Sequence, residues 1–129
     1  MGYRSNVEFI FYPDKAEDFP VMKLWLDENM PGTTKDQDGY CLLDKYVYDG
    51  AFPYIQYGAE DVKWYEGYPE IAVVDDAIHQ FNKLFCAEDS HTPCHYEYVR
   101  IGEDTEDIET RFSDDCKWRM HVRREIMVD

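Results

Sequence analysis

Hydrophobic and polar positions alternate first along residues 3–12, YRSNVEFIFY, where Val7, Phe9 and Phe11 interleave with Asn6 and Glu8. That period of two predicts a half-buried strand, ended by Pro13. Asp18 stands two residues before Pro20 and predicts a helix start. Met22, Trp25, Leu26 and Met30 then keep helical spacing until Pro31-Gly32 stops it. Beyond a polar loop at 32–40, YVY (46–48) and FPYIQY (52–57) flank Asp49-Gly50, which predicts a hairpin with a type I′ turn, and Pro53 belongs near an edge. Val62 and Trp64 continue or follow as a short strand. The clearest element begins at Pro69, where Ile71, Val74, Ile78, Phe81 and Phe85 recur every three or four residues as the core-facing stripe of a helix. HYEYVRI (95–101) predicts a strand, 102–115 an acidic loop, and 118–128 a last strand whose apolar face is interrupted at Arg124.

The order β-α-β-β-α-β with an extra C-terminal strand predicts an α+β fold: one domain over residues 1–129, a ferredoxin-like two-layer sandwich on an antiparallel sheet. Both helices fall on one face, leaving the other for a partner.

Charge changes the picture most. Asp plus Glu number 28 against 13 Lys plus Arg, a net −15 over 129 residues. Nucleic-acid binding depends on cations displacing counterions from phosphates, and anionic membranes attract polybasic segments, so both are disfavoured as direct partners. A basic protein partner is favoured, and the field speeds its arrival. Spread evenly over roughly 7,000 Å², this charge is far sparser than a duplex with one phosphate per ~1.7 Å of axis. DNA mimicry therefore requires the acids to gather on one face, whereas an evenly solvated acidic surface is the plainer reading. No apolar run approaches the ~20 residues of a membrane helix. MGYRSNVEF has no apolar segment before a small-residue cleavage site, and Asn6 stands where a myristoylation signal wants Ser or Thr. The expectation is a cytoplasmic protein, with Cys41, Cys86, Cys94 and Cys116 as thiols.

Within 103–115, seven acids face one arginine. Glu103, Asp104, Glu106, Asp107, Asp114 and Asp115 are the candidate charged element, without the spacing of an EF-hand. Glu60, Asp61, Glu66 and Glu70 form a second group, with Tyr65 and Tyr68 as candidate aromatic anchors. Eleven Tyr, seven Phe and three Trp serve equally as core or as interface. The run C-A-E-D-S-H-T-P-C-H offers Cys86, His91, Cys94 and His95 as zinc-capable ligands, but lacks a C-x₂-C pair, and adjacent Cys94 and His95 point to opposite sides of a strand. Thiols and surface histidines without metal are the simpler reading, a zinc-stabilised module the sharper one. A second alternative is a small-molecule sponge for a nucleotide signal, built on Lys117, Arg119, Arg123 and Arg124 with aromatic stacking. Catalysis has little to stand on. G-x-S-x-G, P-loop, G-x-G-x-x-G and H-E-x-x-H are absent, and His79 with Cys86 sits nearly two turns apart on one helix. No cofactor is implied.

M-G-Y-R-S-N-V at the start, D-V-K-W-Y-E-G-Y-P-E-I in the centre and V-R-I-G-E-D-T-E-D-I-E later, in that order, resemble a family of small acidic bacteriophage and prophage proteins. That family supplies no catalytic residues, and the 86–95 cluster and the tail W-R-M-H-V-R-R-E-I stand outside its pattern. The resemblance implies a phage-encoded inhibitor of host machinery, of anti-CRISPR or anti-restriction type, in a bacterial cytoplasm.

Overall fold

A computed structural model describes residues 3–34, 41–65, 67–104, 106–114, 116–122 and 126–128. The chain is α+β. Its elements are β1 (Ser5–Pro13), a 3₁₀ turn (Ala16–Asp18), α1 (Phe19–Asn29), β2 (Asp44–Tyr48), β3 (Tyr54–Val62), α2 (Pro69–Phe85), β4 (Cys94–Gly102), β5 (Ile108–Phe112), β6 (Met120–Val122) and β7 (Ile126–Val128). Five strands form an antiparallel sheet in the order β2-β3-β1-β4-β5, and β6 and β7 pair as a separate two-stranded sheet.

The most apolar strand lies at the centre. In β1, Phe9 stands opposite Tyr57 of β3 and Tyr98 of β4. Strand alternation therefore sends Val7, Phe9 and Phe11 to one face. Both helices cover that face, α1 through Phe19, Met22 and Leu26 and α2 through Ile71, Val74, Ile78, Phe81 and Phe85. Phe11 meets Phe81 with ring centroids 4.5 Å apart, and Trp25 closes on Phe85 at 5.7 Å. Much of the aromatic content is therefore core. Pro in the first turn of each helix agrees with the expected starts, although neither N-cap side chain bonds to the helix.

Four expectations need correction. The 102–115 stretch is not all loop. It contains β5, whose alternation runs opposite to the usual one: Ile108 and Phe112 are exposed, while Arg111 and Glu109 turn toward the helix side and pair with Asp75 at 2.8 Å and Arg100 at 3.3 Å. The final strand is not continuous from 118 to 128. Trp118 has φ +54, outside the extended region, and beyond it β6 and β7 pair antiparallel as their own ladder outside the main sheet. The β2–β3 connection is not a two-residue type I′ turn. It spans 49–53, neither Asp49 nor Gly50 has positive φ, and Pro53, having no N–H for the ladder, precedes the first paired residue. The second strand of that hairpin ends at Val62, and Trp64 turns into the core instead.

The face opposite the helices is not wholly open either. Residues 116–120 cross it, and Met120 packs with Ile10, Tyr12 and Val99 in a second small core. The bond that holds them there is unusual. Glu97, only 3% exposed, accepts the Arg119 N–H at 3.0 Å, the Met120 N–H at 2.9 Å and the Tyr12 hydroxyl. Tyr12 in turn accepts the Lys117 N–H at 2.6 Å. Three backbone donors of this segment, at Lys117, Arg119 and Met120, are thereby satisfied by two side chains.

Candidate functional site

The antiparallel order places the end of β3, the start of β1 and the end of β4 together, since Ser5 stands opposite both Val62 and Gly102. Parts of the two acidic groups, Glu60 and Asp61 with Glu103, Asp104, Glu106 and Asp107, thus meet at one end of the sheet. Asp61 has φ +54 next to a register shift in β1, a conformation Asp tolerates better than most residues. Its N–H donates to Asn6 Oδ1 at 2.8 Å and its carbonyl accepts Arg4 Nη1 at 2.8 Å. The Arg4 N–H donates to Glu103 Oε1 at 2.9 Å, so one residue ties both groups. Glu60, Asp61, Glu103, Asp104 and Glu106 are all exposed there.

Asp107 differs from its neighbours. It receives Arg100 Nη2 at 2.9 Å and the Tyr3 hydroxyl at 2.5 Å, and these hold its carboxyl below the usual carboxylate range. The same bond raises the Tyr3 hydroxyl. Asp107 therefore organises the β4–β5 turn rather than presenting a bare charge. Tyr65 lines a polar cleft of about 360 Å³ with Tyr3, Trp64 and Asp107, and its ring meets Tyr68 edge-on at 5.1 Å. Glu70 lies in the first turn of α2, two residues after Tyr68, where the helix dipole favours an acid.

Sequence reasoning missed two carboxylates that extend this region onto the open face. Glu8 and Asp44 both flank Gly58 in the strand register, and Glu60 follows on the same side. A Cβ at Gly58 would collide with the Glu8 carboxylate, so glycine is what lets it lie across the strand. Burial, then the charges of Glu60 and Asp44, raise the Glu8 carboxyl, against the Gln56 amide that donates to it at 2.9 Å. The signal was present in the alternation of β1, but pairing with β2 through β3 is invisible along the chain.

Other candidates fall elsewhere. Asp114 lies at the opposite end of β5, on a cleft lined by Cys86, Cys94, His95 and Cys116. Glu66, Asp115, Arg123 and Arg124 lie outside the described residues. Among the described residues, no group of three or more His, Cys, Asp or Glu is placed to hold a metal. Cys94 joins the helix-side core while His95 faces Tyr12 and meets Asp14 at 3.1 Å, and His91 is exposed. The four cysteines are free thiols. Burial pushes both Cys86 and Cys94 up to about 12, so they remain protonated near neutrality and lack the thiolate that chemistry requires.

Of the basic stripe, Lys117 and Arg119 lie at the end of the sheet away from Asp61. Arg119 packs its guanidinium over Tyr54 at 4.7 Å and donates to the Phe52 carbonyl at 3.2 Å. Among the described residues, no helix is long and apolar enough to cross a membrane. Comparison with family models, with curated proteins and with solved structures finds no match for this chain.

Proposed function

We propose that this chain is a non-enzymatic binding protein that occupies a basic, nucleic-acid-handling surface of a host protein, as an inhibitor of phage or prophage origin acting in the bacterial cytoplasm. The observation that carries this reading is the meeting of Glu60 and Asp61 with Glu103, Asp104 and Glu106 at one end of the sheet, beside the Tyr65–Tyr68 pair. Rings that anchor and carboxylates that select are the composition of a specific interface. The gathering of acids at one end is also what mimicry of a phosphate row requires, and Glu8 and Asp44 lengthen that row onto the sheet. The net charge of −15 argues against direct contact with nucleic acid or an anionic membrane. We further read the fold as ferredoxin-like. The order β2-β3-β1-β4 supports this, with β5 as the added edge strand in place of a C-terminal one.

The test uses the purified protein as bait in lysates of host cells with and without a defence system. A parallel bait carries Glu103→Lys, Asp104→Lys and Glu106→Lys. A nucleic-acid-binding protein should be retained at low salt and released near 1 M salt, where the Debye length falls to ~3 Å. The triple variant should not retain it. Equal capture by both baits removes the acidic end from the interface and overturns the reading.

A further inference from the structure

At the other end of the sheet, away from the acids, the 49–53 connection and the 117–119 segment form the two walls of a cleft of about 430 Å³. That size falls within the ~300–1,000 Å³ of small-ligand sites. Phe52 stands on one wall at 76% exposure and Trp118 on the other at 63%. Large rings left this open at the mouth of one cleft are uncommon on a soluble surface and mark a binding patch. The Tyr12 ring and Pro53 line the same space.

Two features make this a built site. Trp118 adopts φ +54, an outlier for a bulky residue, and the bonds on either side of it hold that conformation: Lys117 N–H to Tyr12 Oη and Arg119 N–H to Glu97 Oε2. The consequence is an indole turned outward, with Phe112 against it at 4.3 Å as a fixed backing ring. In addition, Arg119 joins the walls through its bond to the Phe52 carbonyl. The cleft is therefore stapled before any ligand arrives, which lowers the ordering cost of binding.

Its charge runs against that of the whole chain. Lys117 and Arg119 both line it, in a protein of net −15. Among the described lining residues the carboxylate is Asp14, which lies 3.1 Å from His95 Nε2 and 3.6 Å from Lys117 Nζ. We propose that this cleft binds a planar heteroaromatic ring bearing a phosphate or carboxylate, the chemistry of a mononucleotide, with the ring against Phe52 and Trp118 and the anion toward Lys117 and Arg119. This site is independent of the acidic end, and each reading stands or falls alone.

Calorimetric titration of the full chain with AMP, GMP and UMP tests it, with adenosine, inorganic phosphate and a single-stranded octanucleotide as comparators. One-site saturable binding of a mononucleotide is expected, with adenosine and phosphate each weaker by about tenfold or more because each lacks one half of the recognition. Phe52→Ala, at an exposed loop position that packing does not need, should weaken binding about tenfold, since ring stacking on a base has that order of effect. Trp118→Ala and Lys117→Ala should weaken it too, while the Glu103/Asp104/Glu106 triple variant binds normally. Absence of saturable binding at about 1 mM ligand, binding indifferent to Phe52→Ala and Lys117→Ala, or an octanucleotide that binds tighter than the mononucleotide would each overturn the assignment.

Discussion

The two ends of the sheet are made in different ways. At the Asp61 end, charge is displayed by turns whose residues are near neighbours in sequence, the exit of β3 and the β4–β5 turn. The pairing of β1 with β3 and β4 brings them together, and Arg4 bonds to both. At the Trp118 end, the surface depends on a segment from late in the chain laid across strands formed much earlier, and on one buried carboxylate that accepts its backbone. The first kind of surface tolerates change because it rests on exposed side chains. The second fails as a unit, because its walls have no ladder of their own.

The largest expected effect follows from that difference. Glu97→Ala leaves the buried Met120 N–H and Tyr12 hydroxyl and the part-buried Arg119 N–H without their acceptor. Hydrogen bonds to a charged group contribute ~1.5–3 kcal/mol each and orphaned donors carry a further cost, so the loss should reach about 3 kcal/mol or more. In a chain of this size the melting temperature should drop on the order of 10 °C. Glu97→Gln keeps one acceptor oxygen and should fall between. Differential scanning calorimetry of the three proteins decides it, and a loss below about 1 kcal/mol would break the account of how the 116–120 segment is held. Capture of a partner through the acidic end should survive wherever the main sheet stays folded.

Next in size is Asp107→Asn, which probes whether the acidic end has any internal structure. The bonds from Arg100 and Tyr3 lower its folded pKa below the ordinary 3.8. A depressed carboxyl contributes stability that is fully present above its unfolded pKa and is lost as pH falls through the folded one. The variant should therefore melt lower than the parent at pH 7, and the gap should close below pH ~3.8. If Asp107→Asn melts with the parent at neutral pH, the turn is held by its backbone alone, through Gly102 N–H to Asp107 O at 2.8 Å and Asp107 N–H to Asp104 O at 3.0 Å.

Much of the fold was legible because its elements carry their pattern locally. The five apolar positions of α2 and the alternation of β1 each specify both an element and the face it buries, and the structure uses those faces. What was hidden depended on distant partners. In β5 the inward residues are charged, and they are tolerated there only because Asp75 of α2 and Arg100 of β4 meet them. Read alone, I-E-T-R-F is part of an acidic loop. Glu97 looks like any solvent-side glutamate in H-Y-E-Y-V, and nothing near it in sequence announces the backbone it accepts. The same holds for the candidate sites. Acids clustered along the chain could be singled out, whereas Phe52 facing Trp118 across a cleft arises only once Glu97 has placed the segment.

The smallest effect concerns Glu8, a half-buried carboxylate of the acidic region. Burial, with Glu60 and Asp44 nearby, raises the Glu8 carboxyl above its ordinary 4.5. A raised group contributes stability that is present below its unfolded pKa and is lost as pH rises through the folded one, so ionised Glu8 weakens the fold at neutral pH. Glu8→Gln removes that charge and keeps an oxygen to accept from Gln56. The variant should melt slightly higher than the parent at pH 7, by less than about 1 kcal/mol in stability since the group is partly exposed, and should match it below pH ~4. Salt should shrink the part due to Glu60 and Asp44 but not the part due to burial. A gain that vanishes entirely in 1 M salt would mean that repulsion alone acts on Glu8. A gain that persists would show a carboxylate kept against the interest of the fold, at the place where a basic partner would neutralise it.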